Sequence, residues 1–569
     1  MPVIARFDFG NALTPESPGF IKVGRVYRSP RFLWLNDVRE GWRPGPEEDG
    51  LFSYVSGTEG EYRLGLPAGT YGLQLTCFDP QHSHGPFTLA VASVPPRAPQ
   101  GSGQAQVVLQ DIVVPEGVLI RRQAWVVHSG GALALRFAAA PGQSFLLNFL
   151  EVEGPEGAAL QPLFPDAPAD VLPSRAEVLA QGRDDPKAAL REVCTWLLRQ
   201  RKPNGFLGDI EGTRQWWYTS AYPIRTFLAA YELFGLKQYL EVSEHILDQL
   251  LSEQMPEGGF TQAFRNQPTA ALSAAELEQV RAQNWMNLAD IGSIVAALIA
   301  AIPYVDADRR RRYLDAAKRY CDLWALRFQR PNGGFTNGWL AGHEARNIYS
   351  VATANSAFVF AFLGHVSGET GYLEVADRAV SFLLQGWNED GRPLSWPFDG
   401  QFPDHPYYQP VLHFGDQFYT HDGLACALVH TRDDALRGRL FAAMRRWLFG
   451  SRGMLATIGE GSWLPLQETW NNSKSAALPI FFQLFLHRGP GLGASAEELA
   501  RVDALQEVAR KFLCTPAYAR RIGVMLDDPQ DLPWGNHSLQ SWTGCAVAAT
   551  GFAGLALAEM VKPGIVFLA

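Results

Sequence analysis

Between Trp396 and Cys426 the chain runs W-P-F-D-G-Q-F-P-D-H-P-Y-Y-Q-P-V-L-H-F-G-D-Q-F-Y-T-H-D-G-L-A-C. Asp399, Asp404, His405, Tyr407, Tyr408 and His413 stand ahead of a helical pattern that begins near Asp416. Long loops in compact domains are functional or disordered as a rule, and one this rich in rings has the reverse of a disordered composition. It reads as the wall of a binding cleft; the plainer reading is an aromatic plug packing one end of a helical domain. Ring faces beside amide and carboxylate edges suit sugars, whose C–H faces stack while their hydroxyls need paired donors and acceptors.

Five other loops carry the same mixture. The first supplies Asp209, Glu211, Trp216, Trp217 and Tyr218, and the second ends with Asn284, Trp285, Asn287 and Asp290. The third supplies Trp339, His343, Glu344, Arg346, Asn347 and Tyr349, and Trp396 opens the fourth. The fifth brings Glu460, Trp463, Glu468, Trp470 and Asn471, and the sixth Asp527, Asp528, Trp534, Asn536 and His537.

Two chemistries fit these residues. Hydrolysis of a glycosidic bond needs two carboxyl groups, one protonated to assist the leaving group and one to activate water or attack the sugar. β-Elimination from a uronic acid needs the substrate carboxylate neutralised, the C5 proton removed and the leaving oxygen protonated. Arg or Asn with Tyr and His can do all of that. H-E-A-R-N-I-Y at 343–349 and H-P-Y-Y at 405–408 hold this second set. His343, His405, Tyr349, Tyr407 and Tyr408 are its acid and base candidates, and Arg346 its carboxylate anchor. For each of them the bland alternative is ordinary loop hydrogen bonding.

The elements that must position these loops are legible in the periodicity. Residues 1–155 alternate in short segments between Gly and Pro turn signals, the pattern of a β-sandwich. The segments are Ile4–Phe9, Tyr62–Leu66, Tyr71–Phe78, Phe87–Ala92, Gln106–Val114, Ala132–Phe137 and Phe145–Val152. Residues 156–185, rich in Pro, Ala, Gly and Asp, read as a linker. From Pro186 to 569 the period is helical, with helices expected near 187–201, 220–235, 237–254, 287–302, 307–328, 351–367, 371–386, 416–430, 433–449, 473–487, 496–515 and 540–560. Links after the even helices are short and links after the odd ones long, which places every long loop at one end of a set of antiparallel hairpins. That arrangement fits an (α/α)6 toroid. Three of the long loops open with related turns, P-N-G-F at 203–206, P-E-G-G-F at 256–260 and P-N-G-G-F at 331–335, a weak internal repeat.

Two resemblances follow. F-D-F-G at 7–10, P-G-F-I-K-V at 18–23, Y-R-L-G-L-P-A-G-T-Y-G-L-Q-L at 62–75 and L-L-N-F-L-E-V at 146–152 resemble galactose-binding-like jelly-roll modules. Residues 186–569, in hairpin architecture and loop texture, resemble the six-hairpin glycosidase superfamily and the related toroidal polysaccharide lyases. Together they imply a multidomain β plus all-α chain, a jelly-roll β-sandwich followed by an (α/α)6 toroid. The second resemblance also implies catalytic carboxylates at the entrances of inner helices, which makes Asp290, Asp416, Glu344 and Glu468 candidates. Asp290 and Asp416 are favoured, since each sits near the start of an expected inner helix among amides and aromatics. Their alternative is helix N-capping, which Asp does commonly.

The expected substrate is an oligo- or polysaccharide, uronate-containing glycans included, cleaved by a glycoside hydrolase. A polysaccharide lyase is the second reading, and a non-catalytic carbohydrate-binding protein the third. The substrate-binding set is Trp216, Trp217, Asn284, Trp285, Trp339, His343, Arg346, Asn347, Trp396, Tyr408, Trp463, Trp470 and Trp534.

Composition narrows the partners. A net charge of -9 with no long Lys/Arg run argues against a nucleic-acid partner. The cysteines at 77, 194, 321, 426, 514 and 545 form no C-x-x-C pair and none has metal-ligand spacing to a His, so buried thiols and no structural zinc are expected. No cofactor motif is present: phosphate-binding glycine loop, HExxH and G-x-S-x-G are all missing. No membrane-spanning run is expected, and oligomeric state is open. The first residues lack a signal-peptide pattern, so the expected location is the cytoplasm, or outside it if a signal peptide has been removed.

Overall fold

The computed structural model describes residues 1–9, 19–23, 32–34, 39–44, 51–95, 98–161, 163, 173–208, 216–386, 391, 414–451, 453–458, 475–527 and 546–568. They divide into two compact units, one holding Met1–Val171 and the other Leu172–Leu466, Asn471–Asp528 and Thr543–Ala569.

The first unit is all β. Its strands are β1 (Val3–Phe9), β2 (Ile21–Val23), β3 (Phe32–Trp34), β4 (Arg39–Pro44), β5 (Leu51–Gly57), β6 (Glu59–Gly65) and β7 (Gly69–Cys77). There follow β8 (His84–Val94), β9 (Gln106–Val114), β10 (Ile120–His128), β11 (Ala132–Ala139), β12 (Phe145–Leu147) and β13 (Phe149–Glu153). One five-stranded sheet has the order β10-β7-β13-β1-β2, a second β3-β6-β11-β8-β9, and β12-β5-β4 form a third. Phe7, Leu73, Leu75 and Val152 of the first sheet share one core with Trp34, Tyr62, Leu135 and Phe137 of the second. The two sheets therefore face each other, and alternate residues of each strand fill the space between them. Each large side chain buried there contributes about 1.5–3 kcal/mol of transfer free energy. A buried ionic cluster lies in the unit: Glu61 takes Arg63 at 2.7 Å and Arg136 at 2.9 Å. His84 ties two loops together, with Asp79 Oδ2 2.9 Å from one ring nitrogen and Ser144 Oγ 2.8 Å from the other.

The second unit is helical. Its longer helices are α1 (Arg175–Gln181), α2 (Pro186–Arg199), α3 (Trp217–Phe234), α4 (Lys237–Ser252), α5 (Ala274–Gln283), α6 (Leu288–Ala301) and α7 (Ala307–Arg319). They continue with α8 (Ser350–Ser367), α9 (Thr370–Gln385), α10 (Phe414–His430), α11 (Asp434–Phe449), α12 (Leu478–Arg488), α13 (Ala496–Leu513) and α14 (Ala546–Val561). Two of these were not expected. Helix α1 lies inside the stretch read as linker, started by Ser174, whose side chain accepts from Glu177 N–H. Helix α5 lies inside the second long link, where Ser273 and Glu276 form a reciprocal capping box.

The remaining twelve helices form hairpins whose members pack in a cycle. Helix α3 packs on α6, α6 on α8, α8 on α10, α10 on α12, α12 on α14, and α14 on α3 again. Helices α4, α7, α9, α11 and α13 each pack on the inner helix that precedes them, and α2 packs on α14 and α3. Burial separates the two sets. Helices α6 and α14 are buried at nearly every position. Helices α2, α4 and α7 instead bury one stripe. A helix apolar all round must be enclosed, so the ring is made of α3, α6, α8, α10, α12 and α14. Against expectation, Ser350–Ser367 is long and apolar enough to cross a membrane by length and composition. It is α8, 83% buried among its neighbours.

The three related turns are one structure used three times. In each, a glycine N–H bonds back three residues, Gly205 to Lys202, Gly258 to Met255 and Gly333 to Arg330. The same three residues, Lys202, Met255 and Arg330, donate forward to the carbonyls of Phe206, Gly259 and Gly334. The glycines have φ of 83°, 92° and 96°, where side chains are strained. A Cβ at Gly258 would stand 2.4 Å from the Arg319 carbonyl oxygen, and one at Gly333 2.4 Å from that of Arg378. The sequence repeat thus marks where each long link docks against an outer helix.

Candidate active site

The N-terminal ends of α3, α6 and α8 are laced together by backbone pairs between the long links. Trp216 bridges Ala263, and Gln262 N–H donates to Trp285 O at 2.7 Å. Strand β14 (Trp285–Met286) pairs with β15 (Trp339–Leu340). Thr336 bridges Ile348, and Tyr349 N–H donates to Phe335 O at 2.9 Å. Each link is therefore held against the next where it enters the ring.

Asp290 stands at the third residue of α6, partly exposed. Its Oδ2 accepts from Asn287 Nδ2 at 2.8 Å and from Gln262 Nε2 of the preceding link. It does not cap the helix. Asn287 is the N-cap residue and makes no side-chain cap bond. Asn337 takes that part from the next link, its backbone O accepting from Leu288 N–H and its side-chain Oδ1 from Ala289 N–H at 3.1 Å. Asn337 thus satisfies the amides of Leu288 and Ala289 from outside the helix. Asn287 is 2% exposed, and its Oδ1 has no hydrogen-bond partner among the described residues.

Other expected residues fall at the same end with different surroundings. Trp216 is the N-cap residue of α3, its ring 5.6 Å from that of Tyr218. Trp285 is 46% exposed. Trp339 is half-buried and donates Nε1–H to Arg281 O at 2.7 Å. His343 and Arg346 are exposed, and Asn347 Oδ1 is buried with no hydrogen-bond partner among the described residues. Tyr349 immediately precedes α8, and its carbonyl accepts from Thr353 N–H and Oγ1–H, each at 2.9 Å.

Four of the residues named from the sequence have other surroundings. Trp217 is buried, its ring packed against Phe206 and Phe264 at 5.7 and 5.4 Å, and cannot lie against a ligand. Asn284 ends α5, with Nδ2 donating to Val280 O at 2.9 Å, which is a helix-terminating role. Glu344 lies in the loop between β15 and α8 and is exposed, with Arg330 at 3.5 Å, not at a helix entrance. Asp527 accepts from Trp196 Nε1 at 2.8 Å and holds a chain segment against α2.

Asp416 is the third residue of α10, the place Asp290 has in α6, but its side chain lies outside the described residues. So do Asp209, Glu211, Trp396, Asp399, Asp404, His405, Tyr407, Tyr408, His413, Glu460, Trp463, Glu468, Trp470, Asn471, Asp528, Trp534, Asn536 and His537.

Deeper in the ring lies a polar set not foreseen. Tyr222 of α3 meets Ser293 of α6 at 3.3 Å. Arg225 of α3 lies 3.9 Å from Asp422 of α10, 4.7 Å from the centre of the Phe358 ring, and donates to Val566 O at 3.2 Å. Burial pushes the Asp422 carboxyl up to about 6 against the opposing pull of Arg225. Glu559 of α14 accepts from Gly564 and Val566 N–H at 2.6 and 3.1 Å, and burial holds its carboxyl up at about 7. The available signal was a charge inside an apolar helical run: R in Y-P-I-R-T-F, E in A-L-A-E-M-V.

No family model matches the chain, and no curated protein matches it. Among solved structures it is similar to a possible member of the GH105 family from Salmonella enterica subsp. enterica serovar Paratyphi A str. ATCC 9150. That likeness has 14% identity, 71% of this chain and 97% of that one covered, and a TM-score of 0.44. It is also similar to a polysaccharide lyase, at 13% identity with 68% and 98% covered and a TM-score of 0.42. A family 76 glycoside hydrolase from a bovine Bacteroides thetaiotaomicron strain matches at 11% identity, with 80% and 96% covered and a TM-score of 0.39.

Proposed function

We propose that the chain is a carbohydrate-active enzyme that hydrolyses glycosidic bonds of an oligo- or polysaccharide, with an (α/α)6 toroid as its catalytic unit and a jelly-roll β-sandwich before it. The observation that carries this reading is the Asp290 carboxylate. It sits at the entrance of a ring helix, oriented by two side-chain amides and released from capping by Asn337. A carboxylate held this way is set to take a proton from water or to attack a sugar carbon, one of the two roles hydrolysis needs. Asp416, at the matching position of α10, is the proposed partner that protonates the leaving oxygen. Trp285 and Trp216 supply ring faces against which a sugar stacks.

The test is digestion of a glycan panel with the product masses measured. Products heavier by one water support hydrolysis. Products without that gain, carrying the ultraviolet absorbance of an unsaturated uronate, replace it with elimination by the His343, Arg346 and Tyr349 loop.

A further inference from the structure

The outer face of the sheet β10-β7-β13-β1 carries an exposed indole in a polar field. On β10 the outward positions are Arg121, Gln123, Trp125 and Val127, opposite Thr76, Gln74, Gly72 and Thr70 of β7. Across β7 the same rows continue to Glu151 and Glu153 of β13, and from Glu151 to Arg6 of β1. Trp125 is 52% exposed and Val127 82%. An added Cβ on Gly72 would meet Trp125 Cη2 and Cζ3, both at 3.1 Å, and Glu153 Oε2 at 3.3 Å. The six-membered ring of the indole therefore lies across the β7 backbone, its edge beside the Glu153 carboxylate. Neighbouring strands are about 4.8 Å apart, so the platform from β10 to β13 is about 10 Å wide.

The side chains round it are unspent. Those of Gln74, Gln123 and Glu153 have no hydrogen-bond or ion-pair partner among the described residues, and Glu151 has Arg6 at 3.6 Å.

We propose that this face binds a neutral glycan chain, with Trp125 as the stacking surface and Gln123, Gln74 and Glu153 as hydrogen-bond partners for hydroxyls. The chemistry selects that occupant. A pyranose ring offers one C–H face for the indole and hydroxyls at its rim for the amides and carboxylate. A protein partner fits worse, because interface cores are depleted in charge and here Glu151, Glu153 and Arg6 lie beside the exposed Trp125 ring, while Phe149 of the same face is partly covered by Phe20 at 5.2 Å. A uronate fits worse too, since Glu153 would repel its carboxylate at the stacking position. The competing role for Trp125 is to cover Gly72 and so stabilise the sheet, as aromatic residues do over strand glycines. That role would move stability and leave glycan affinity untouched.

The test uses the full chain in native affinity gels containing yeast mannan, galactan or polygalacturonate. Affinity is read without turnover, so its result does not depend on the hydrolysis proposed above. At least one of the two neutral polymers should retard the wild-type chain. Trp125→Ala should weaken that retardation about tenfold. Gln123→Ala should weaken it severalfold while its Tm stays within about 2 °C of wild type, as for an exposed polar side chain. The proposal is overturned if neither neutral polymer retards the wild-type chain, if only polygalacturonate does, or if both variants are retarded as wild type is. It is also overturned if Trp125→Ala converts a dimer to a monomer in light scattering, which would make the face an interface between copies.

Discussion

Asn287 donates from Nδ2 to Asp290 Oδ2 at 2.8 Å, so the N-cap residue of α6 orients the acid in its first turn instead of capping the helix. Gln262 supports the same oxygen from the preceding link, and Asn337 takes over the capping. Orientation and capping are thus divided between different side chains, and they can be separated by mutation.

Asn287→Ala or Gln262→Ala should reduce kcat by about 100-fold, since a small misplacement of a catalytic group costs that much. Asn337→Ala should instead cost about 1 kcal/mol of stability, the value of a lost helix cap, with kcat nearly unchanged. Steady-state kinetics and urea melts on the three variants check the division. A kcat loss confined to Asn337→Ala would contradict it.

Arg225 and Asp422 are both buried and lie 3.9 Å apart, and Arg225 also donates to the Val566 carbonyl. Removing one partner, as in Asp422→Leu, should destabilise by about 3–5 kcal/mol. Arg225→Met combined with Asp422→Leu should recover a large part of that loss, measured by urea denaturation. A double variant as unstable as the single one would show that the pair is not the coupled unit.

Glu559 links stability to pH. Its folded carboxyl, pushed up to about 7 by burial, keeps a proton that the unfolded chain releases near the ordinary value of 4.5. Its stabilising contribution is therefore complete below about pH 4.5 and lost as pH rises through about 7. Asp422 runs the same way between 3.8 and about 6. His421 and His430, pushed down by burial to about 3 and about 4, run oppositely: their contribution is lost as pH falls below 6.5. The clean reading is a difference. The Tm of Glu559→Gln minus that of wild type should grow more positive from pH 5 to pH 8. A constant difference would remove Glu559 as a linked group.

Gly333→Ala tests the repeated turn. The residue has a φ of 96°, and a Cβ there would press on the Arg378 carbonyl. The strain of a side chain in this region predicts a loss of about 1–3 kcal/mol. A Tm equal to wild type would mean that the third link does not dock as described.

How much of this was readable from residue types depends on the element. The twelve hairpin helices were legible because their apolar period persists over many turns, and outer helices such as α2 and α4 show one clean stripe. Strand β10 was not, because A-W-V-V puts Trp125 and Val127 outward where alternation calls for polar residues. The face proposed to bind glycan is thus also the place where the pattern breaks. That a carboxylate stands among amides and aromatics at the start of α6 was legible. The partition among Asn287, Gln262 and Asn337 was not, since three links distant in sequence meet there. Trp217 looked equal to Trp216 in composition, and only the fold decides which of two neighbouring rings turns inward.

The most direct measurement is turnover of Asp290→Asn on whichever glycan the wild-type chain cleaves, paired with its thermal melt. The exchange is nearly isosteric and removes the ability to take a proton or to attack. The account predicts that kcat falls by about 10²–10⁴, the usual cost of losing an essential acid or base. The melt should stay within a few degrees of wild type, because Asp290 does not cap α6. Near-normal turnover in Asp290→Asn, with or without a change in Tm, would contradict the claim that this carboxylate does the chemistry.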